Sequence, residues 1–229
     1  MDTTFSELNL PAPILRALDD MGFQAPTEIQ ARAIPAILGG QDIIGKSHTG
    51  TGKTVAFGVP SVLHTVPTGQ TQTLVLCPTR ELAMQAEGEK RKICKYTDGV
   101  RVLAVYGGDP ITGQIRQLKR GVEIVVGTPG RVMDLMRRHA LDLESLSLAV
   151  LDEADEMLNM GFREDIETIL QTTPPTRQTV LFSATMPPEI LEITGEYQHM
   201  PALIEAGNTA ERTIDTISQY YFEVPRGEK

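Results

Sequence analysis

The chain has 229 residues, 41% of them hydrophobic and 22% charged, which is typical of a soluble globular protein rather than a disordered one. With 21 Lys and Arg against 30 Asp and Glu, its net charge of −9 disfavours nucleic-acid binding through overall charge, although a few well-placed donors remain sufficient. No apolar run approaches the roughly 20 residues of a membrane span, and the N-terminal segment lacks the pattern of a secretory signal. Two cysteines, Cys77 and Cys94, are too few for a disulfide framework or a four-ligand zinc site, so we expect a cytoplasmic protein without a membrane partner.

The predicted elements begin with helices over about the first 40 residues, where Ile and Leu recur at helical spacing between prolines. Short apolar segments then alternate with amphipathic ones. The predicted strands are 42–45, 73–77, 100–106, 123–126, 148–151 and 179–182, and the helices between them include 55–63, 111–121, 131–139 and 161–171. This alternation predicts an α/β fold with a doubly wound, mostly parallel sheet and helices on both faces. Binding residues are then expected in the loops at the carboxyl ends of the strands.

The C-terminal part of the chain has a different pattern. From about Gly207 the apolar periodicity ends, and residues 217–224 (ISQYYFEV) are predicted as a strand without a partner. We therefore expect one domain over residues 1–208, followed at 209–229 by a linker and the start of a further unit.

A glycine-rich segment, SHTGTGKT, lies between the first predicted strand and a helix. In that position, successive backbone N–H groups face one concavity, which suits the oxygens of a polyphosphate. Lys53 would reach the β- and γ-phosphates, and the Thr54 hydroxyl would bind Mg²⁺. The general pattern G-x-x-x-x-G-K-[ST] is met except at its first position, where Ser47 replaces glycine; the alternative is a glycine-rich surface turn. The predicted nucleotide-binding residues are Ser47, His48, Thr49, Gly50, Thr51, Gly52, Lys53 and Thr54.

A quartet with three acidic residues, Asp152-Glu153-Ala154-Asp155, follows the predicted strand 148–151. Asp152 is predicted to hold Mg²⁺ through its waters, and Glu153 to orient and deprotonate the attacking water. Taken alone, such a quartet is more often the acidic start of a helix. Together with the phosphate loop, it predicts phosphoryl transfer with Lys53, Asp152 and Glu153 as catalytic residues.

These two motifs and five further segments, all in the family's order, resemble the DEAD-box ATP-dependent RNA helicases of superfamily 2. The five are GFQAPTEIQ at 22–30 with the upstream Phe5, PTRELA at 78–83, Gly107-Gly108 with Gln114, TPGR at 128–131, and SAT at 183–185. The resemblance extends from Phe5 to Gly207. It implies a RecA-like domain that uses ATP and Mg²⁺ and contacts the RNA backbone independently of base sequence.

The resemblance places adenine recognition within residues 5–30, on Phe23, Thr27 and Gln30. Phe23 would stack on the base. The amide of Gln30 donates and accepts at once, so it can pair with adenine and reject guanine. Without the surrounding motif, an exposed polar residue on a helix would be the favoured interpretation of Gln30.

The resemblance also implies an RNA-binding surface and a coupling link. Arg80 and Arg131 would hold phosphates, and the glycines would let the main chain approach RNA. Ser183 and Thr185 would join Asp155 in hydrogen bonds that couple hydrolysis to unwinding. The basic segment 89–95 (EKRKICK) is predicted as a solvated helix face. The predicted RNA-binding residues are Pro78, Thr79, Arg80, Gly107, Gly108, Thr128, Pro129, Gly130 and Arg131.

The sequence departs from the family in two places. The family usually has alanine and commonly glutamine where Ser47 and His48 stand; we expect Ser47 to be tolerated and His48 to point to solvent, the alternative being a pH-dependent charge near the phosphates. The family's full enzymes have a second RecA-like lobe, and no segment of this chain resembles its motifs. Residues 217–224 are expected to be the first strand of that lobe. The chain alone should then bind nucleotide weakly and hardly hydrolyse ATP or unwind RNA.

Three other functions stay open at this point. A phosphate-loop kinase or other small-molecule transferase explains 47–54 and Asp152, but not 128–131 or 183–185. A non-catalytic, nucleotide-gated scaffold would be favoured by loss of Glu153, which is present. A DNA helicase of the same superfamily is disfavoured by the Gln30 motif and the DEAD spelling.

Overall fold

Seven short strands form the framework of the chain, of which the computed structural model describes residues 3–48 and 50–206. They are β1 (Ile43–Lys46), β2 (Thr73–Leu76), β3 (Val102–Val105), β4 (Ile124–Gly127), β5 (Leu148–Leu151), β6 (Gln178–Ser183) and β7 (Ala202–Glu205). They pair in the order β3-β4-β2-β5-β6-β1-β7, and every pairing is parallel. The predicted α/β class and parallel sheet are confirmed.

The helices connect these strands and cover both faces of the sheet. They are α1 (Ala12–Asp20), α2 (Glu28–Leu38), α3 (Lys53–Leu63), α4 (Arg80–Ile93), α5 (Ile111–Leu118), α6 (Pro129–Arg137), α7 (Ala154–Asn159), α8 (Arg163–Gln171) and α9 (Pro188–Tyr197), with 3-10 turns at Phe5–Leu8 and Cys94–Tyr96. None of the helices among the described residues is both long and apolar enough to cross a membrane.

The sheet separates two apolar cores because successive strand residues face opposite sides. In β5 and β6, Val150 and Phe182 pack with α2, α3 and α4, whereas Leu151 and Leu181 pack with the helices of the other face. All four side chains are almost fully buried, and burying one apolar side chain of this size contributes about 1.5–3 kcal/mol. This burial on both sides explains why the strands are continuous apolar runs.

All six predicted strands are present, each with bounds within two residues of the prediction. β7 was not predicted. It is an edge strand beside β1 in which Ile204 is buried and Leu203 is 53% exposed, so its apolar signal is weak.

The predicted solvated face at 89–95 is wrong in one important respect. Lys90 has no exposed surface, and Ile93 is equally buried. Residues 80–93 form the helix α4, and Ala83, Ala86, Lys90 and Ile93 lie on its buried side. The many charged residues of this segment therefore led to the prediction of a solvated face, although the helix packs on the sheet.

The parallel sheet brings the carboxyl ends of all its strands to one edge. The segments that follow β1 to β6 at this edge contain six of the seven predicted motifs, all except the one at 22–30, as expected for a doubly wound fold. Thr49, the predicted domain boundary at 208 and the predicted strand at 217–224 lie outside the described residues.

Candidate active site and RNA-binding face

The phosphate loop runs from the end of β1 to Lys53, the first residue of α3. Gly50 and Gly52 have left-handed backbone conformations, with φ of +82° and +92°. A Cβ atom at Gly52 would lie 2.4 Å from Nε2 of Gln30, so only glycine fits there without a shift. Ser47 is 2% exposed, and its Oγ lies 3.1 Å from the Thr51 hydroxyl. Ser47 thus takes part in the internal bonding of the loop.

A cavity of about 420 Å³ opens beside this loop. It joins three separately predicted motifs, because it is lined by Phe23, by the loop with Lys53 and Thr54, and by Asp152 and Glu153. Leu82, Gln85, Ala86 and Glu89 of α4 form a further wall. His48, one of the predicted nucleotide-binding residues, does not line the cavity; it is exposed, as the expected orientation toward solvent requires.

Asp152 follows β5 and is 7% exposed. Burial raises the pKa of its carboxyl to about 6, although the nearby Lys53 opposes the increase. Its Oδ1 has no hydrogen-bond partner, although it is buried. Among residues 3–48 and 50–206, no group of three or more His, Cys, Asp or Glu side chains is arranged so that it could hold a metal ion by itself. A single buried carboxylate with a spare oxygen, in the cavity that Thr54 also lines, fits Mg²⁺, which typically takes one or two carboxylates together with phosphates and water.

Glu153 lies at the amino end of α7 with φ of +53° and ψ of +52°. A left-handed conformation in a residue other than glycine costs about 1–3 kcal/mol and is enriched at functional sites. Glu153 lines the same cavity as Lys53.

Gln30 is not the exposed helix residue of the alternative interpretation, since it has no exposed surface. Its Oε1 accepts from the Thr27 amide at 3.0 Å, and its Nε2 donates to the Gly52 carbonyl at 3.1 Å. The Thr27 hydroxyl donates to the Thr51 carbonyl at 2.8 Å. Thr27 and Gln30 therefore hold the phosphate loop directly. An amide has one further hydrogen and one further lone pair, but adenine reaches them only if this buried contact opens.

The predicted coupling residues are bonded to one another. The Thr185 hydroxyl and amide both donate to Oδ2 of Asp155, at 2.7 and 2.9 Å, and the Ser183 hydroxyl donates to the Thr185 carbonyl. Burial acts to raise the pKa of Asp155, but the bonds from Thr185 outweigh it and leave the pKa lowered. The Ser47 amide also donates to the Ser183 carbonyl at 3.2 Å, which joins the phosphate loop to the same segment.

The predicted RNA-binding residues follow three adjacent strands, β2, β4 and β3. The Thr79 hydroxyl accepts from the Leu82 amide and so caps α4. The two prolines, Pro78 and Pro129, are buried, and Thr128 is half-buried. The exposed members of the set are Arg80, Gly107, Gly108 and Gly130. The structure thus groups these residues on one side of the strand-end edge.

Arg131 differs from the other predicted phosphate contacts because its guanidinium is already bonded. It donates to Oε1 of Gln114 at 2.8 Å and to the Asp109 carbonyl at 3.2 Å. In this structure Arg131 supports the segment after β3. Arg80 is more accessible and pairs with the Asp109 carboxylate at 3.1 Å.

Two buried residues, Lys90 and Cys77, interact electrostatically with Asp152 and were not predicted. The buried Nζ of Lys90 lies 4.2 Å from the centroid of the Phe57 ring and has no hydrogen-bond partner. Burial lowers the pKa of Lys90 to about 8, and burial raises that of the Cys77 thiol. Helical spacing was the available signal, since Lys90 lies four residues after Ala86 and three before Ile93, both buried.

Comparisons with known proteins agree with this arrangement. The sequence profile described as "DEAD/DEAH box helicase" matches residues 27–193. The chain is 50% identical to "RNA helicase CrhR" of Synechocystis, across 99% of this chain and 46% of the relative. It is 48% identical to "ATP-dependent RNA helicase DeaD" of Escherichia coli, across 97% of this chain and 36% of the relative. The chain thus spans less than half the length of both relatives.

Solved structures show the same fold. A DEAD box protein from Methanococcus jannaschii superimposes with a TM-score of 0.86 at 40% identity, over 89% of this chain and 56% of that one. A hypothetical ATP-dependent RNA helicase from Sulfolobus tokodaii gives a TM-score of 0.80 at 40% identity, over 86% and 57%. Because the profile covers most of the chain and the identity extends along nearly its whole length, the chain belongs to the DEAD/DEAH box helicase family.

Proposed function

We propose that this chain is the ATP- and RNA-binding lobe of an ATP-dependent RNA helicase that acts on RNA in the cytoplasm. The observation that carries the proposal is the convergence of Lys53, Asp152 and Glu153 on one cavity. Asp155, two residues beyond Glu153, is bonded to Thr185 at the same edge of the sheet. A small-molecule kinase requires neither that link nor the grouped residues after β2, β3 and β4.

The phosphates of ATP would bind at the amino end of α3. The backbone N–H groups of the loop and the helix dipole favour negative charge there, and the buried Lys53 adds a full positive charge. Phe23, which lines the same cavity, would pack on the adenine ring.

Thr54 and Asp152 are the residues that would hold Mg²⁺, which supplies charge compensation at the phosphate oxygens when it is bound. Glu153 would accept a proton from the water whose oxygen attacks the γ-phosphorus, while the bond to ADP breaks. Lys53 remains paired with the phosphate oxygens through this step.

Coupling would pass through Asp155, Thr185 and Ser183. These residues connect the helix that follows Glu153 with the segment that follows β6, and Ser183 also accepts from the phosphate loop. A change in the loop on loss of the γ-phosphate would therefore alter bonds in the 183–185 segment. RNA would bind across Arg80, Gly108 and Gly130 through its phosphates and 2′-hydroxyls.

The second lobe would belong to the longer protein of which 1–208 is one domain and 209–229 the connection. Such a lobe would supply an arginine to the transferred phosphoryl group, a contribution of about 10³–10⁵ in rate. The activity of the 229-residue chain should be correspondingly low.

Calorimetric titration with ADP, AMP and GDP, each with Mg²⁺, tests the nucleotide assignment. We expect ADP to bind more tightly than GDP. Because Gln30 also bonds to Gly52, Gln30→Ala should weaken the binding of inorganic triphosphate as well as that of ADP. Only the preference for ADP over GDP therefore reports on recognition of the base. Equal binding of ADP and GDP by the unaltered chain would contradict adenine recognition.

A further inference from the structure

Arg80 makes two contacts with the segment that follows β3. Its Nη1 lies 3.1 Å from Oδ1 of Asp109, and its guanidinium carbon lies 4.7 Å from the centroid of the Tyr106 ring. Gly108, between these partners, has φ of +87°, and a Cβ there would lie 3.4 Å from Nη1 of Arg80. The guanidinium therefore lies against this segment rather than extending freely into solvent.

The segment itself is held in place from α5 and α6. Nε2 of Gln114 donates to the Tyr106 carbonyl at 3.2 Å, and Arg131 donates both to Gln114 and to the Asp109 carbonyl. Burial is the main cause of the raised pKa of the Tyr106 phenol, and a hydrogen bond with the Asp109 side chain is the next. The Asp109 carbonyl is thus held by Arg131, while its carboxylate pairs with Arg80.

A carboxylate and a phosphate compete for the same donors, since both present acidic oxygens to the fork of an arginine. We propose that Asp109 occupies the Arg80 guanidinium in the RNA-free state, so that an RNA phosphate binds Arg80 by displacing this carboxylate. Asp109 is then an internal competitor that weakens RNA binding, while Arg131 is a positioning residue that holds the competitor in place. This inference rests on the proposed RNA-binding function.

The pair is easily opened. The side chains of Arg80 and Asp109 are 42% and 40% exposed, and exposed ion pairs contribute little net stability. Displacement therefore lowers RNA affinity by a small factor, about two- to fivefold. The contact acts as a local tuning of affinity rather than as a complete block.

The chain provides a matched control for the loss of one negative charge. Asp20, on α1, is 37% exposed, pairs with Lys95 and accepts a hydrogen bond from the Tyr96 hydroxyl at 2.6 Å. It therefore contacts a cation and a tyrosine, as Asp109 does. Tyr96 precedes β3, so this pair lies toward the amino-terminal edge of the sheet, away from the predicted RNA residues. Asp20→Asn changes the net charge by the same amount as Asp109→Asn.

The test is the affinity of the 229-residue chain for a short fluorescein-labelled oligouridylate, followed by fluorescence anisotropy at low salt. We expect Asp109→Asn to tighten binding about two- to fivefold, and Asp20→Asn to change it much less. In an Arg80→Ala background, which itself weakens binding, the gain from Asp109→Asn should disappear because Asp109 acts through Arg80. Circular-dichroism melting curves of each variant verify that the fold is retained.

The outcomes separate the inference from the function on which it rests. If Arg80→Ala weakens binding but Asp109→Asn leaves it unchanged, RNA binding at this face stands and the competitor role is wrong. The same conclusion follows if Asp20→Asn tightens binding equally, or if the gain persists without Arg80. If neither the unaltered chain nor any variant binds the oligouridylate, the RNA-binding function and the inference both fail.

Discussion

Asp152 combines a proposed catalytic role with a cost to folding. Its carboxyl has a pKa near 6 in the folded chain, against 3.8 ordinarily, because burial penalises its charge. Between these two pH values the folded state binds more protons than the unfolded state. The free energy of unfolding therefore decreases as pH rises, and the contribution of the protonated carboxyl is lost once pH has passed 6. At neutral pH without Mg²⁺, the ionised Asp152 therefore destabilises the fold.

Asp152→Asn should accordingly stabilise the chain near neutral pH in the absence of Mg²⁺, by roughly 1–3 kcal/mol. The gain should shrink as the pH falls from 6 toward 4, where the wild-type carboxyl becomes protonated. Thermal melts across this range, with chelator present, measure it. A lower melting temperature for the variant at neutral pH would show that Asp152 is stabilised by its surroundings instead.

The phosphate loop, at the scale of an element, depends on two glycines for different reasons. Gly50 and Gly52 both have positive φ, but of the two only Gly52 lies against other side chains, those of Gln30 and Thr27. A Cβ at position 50 meets nothing within 4 Å. Position 52 therefore carries a steric demand in addition to the conformational one.

Gly50→Ala and Gly52→Ala form a matched pair that separates these demands. Gly50→Ala should cost about 1–2 kcal/mol from the left-handed conformation alone. Gly52→Ala should cost more and should weaken ADP binding further, because the Gln30 contact must shift. Urea denaturation and calorimetric titration of both variants measure the difference, and equal effects would mean that Gln30 adapts without cost.

Helix α4 carries the second unusual charge of the molecule, Lys90. Its pKa is lowered to about 8 from 10.5 by burial, so the folded state loses its proton before the unfolded state does. Stability from this group therefore rises with pH between about 8 and 10.5. The contact with Phe57 offsets part of the cost of the buried charge.

Lys90→Met should stabilise the chain near neutral pH by up to about 3 kcal/mol, and this advantage should diminish above pH 8. Lys92→Met, on the exposed side of the same helix, is the control and should change stability little. Chemical denaturation at several pH values measures both. Destabilisation by Lys90→Met across the whole range would indicate that the amine has a stabilising partner.

The sequence was sufficient for the elements that are buried on both sides, since continuous Val, Ile and Leu runs predict central parallel strands directly. The sequence did not predict the strand β7, in which only Ile204 is buried. It also did not predict the burial of Lys90, because a charged side chain is expected to be exposed to solvent. The sequence pattern located the motif residues but did not predict their hydrogen bonds. Arg131 bonds to Gln114, and Gln30 bonds to Gly52, so both contacts join segments that are distant in the sequence. Such contacts depend on the folded chain as a whole.

At the scale of the whole molecule, the chain covers less than half of the Synechocystis and Escherichia coli relatives. We expect the 229-residue chain to hydrolyse ATP at least about 10³-fold more slowly than a longer protein that includes the second lobe. Steady-state phosphate release with and without RNA compares the two. Glu153→Gln in the longer protein is the control, and it should abolish hydrolysis while ATP remains bound. Comparable rates for both proteins would contradict the need for a second lobe.

Helix α4 begins at Arg80, one of the proposed RNA contacts, and further along it lines the cavity with Gln85 and Glu89. The proposed RNA and nucleotide sites therefore share one helix. If occupation of one site affects the other through this helix, thermodynamic linkage makes the effect reciprocal: the factor by which nucleotide changes the affinity for RNA is also the factor by which RNA changes the affinity for nucleotide.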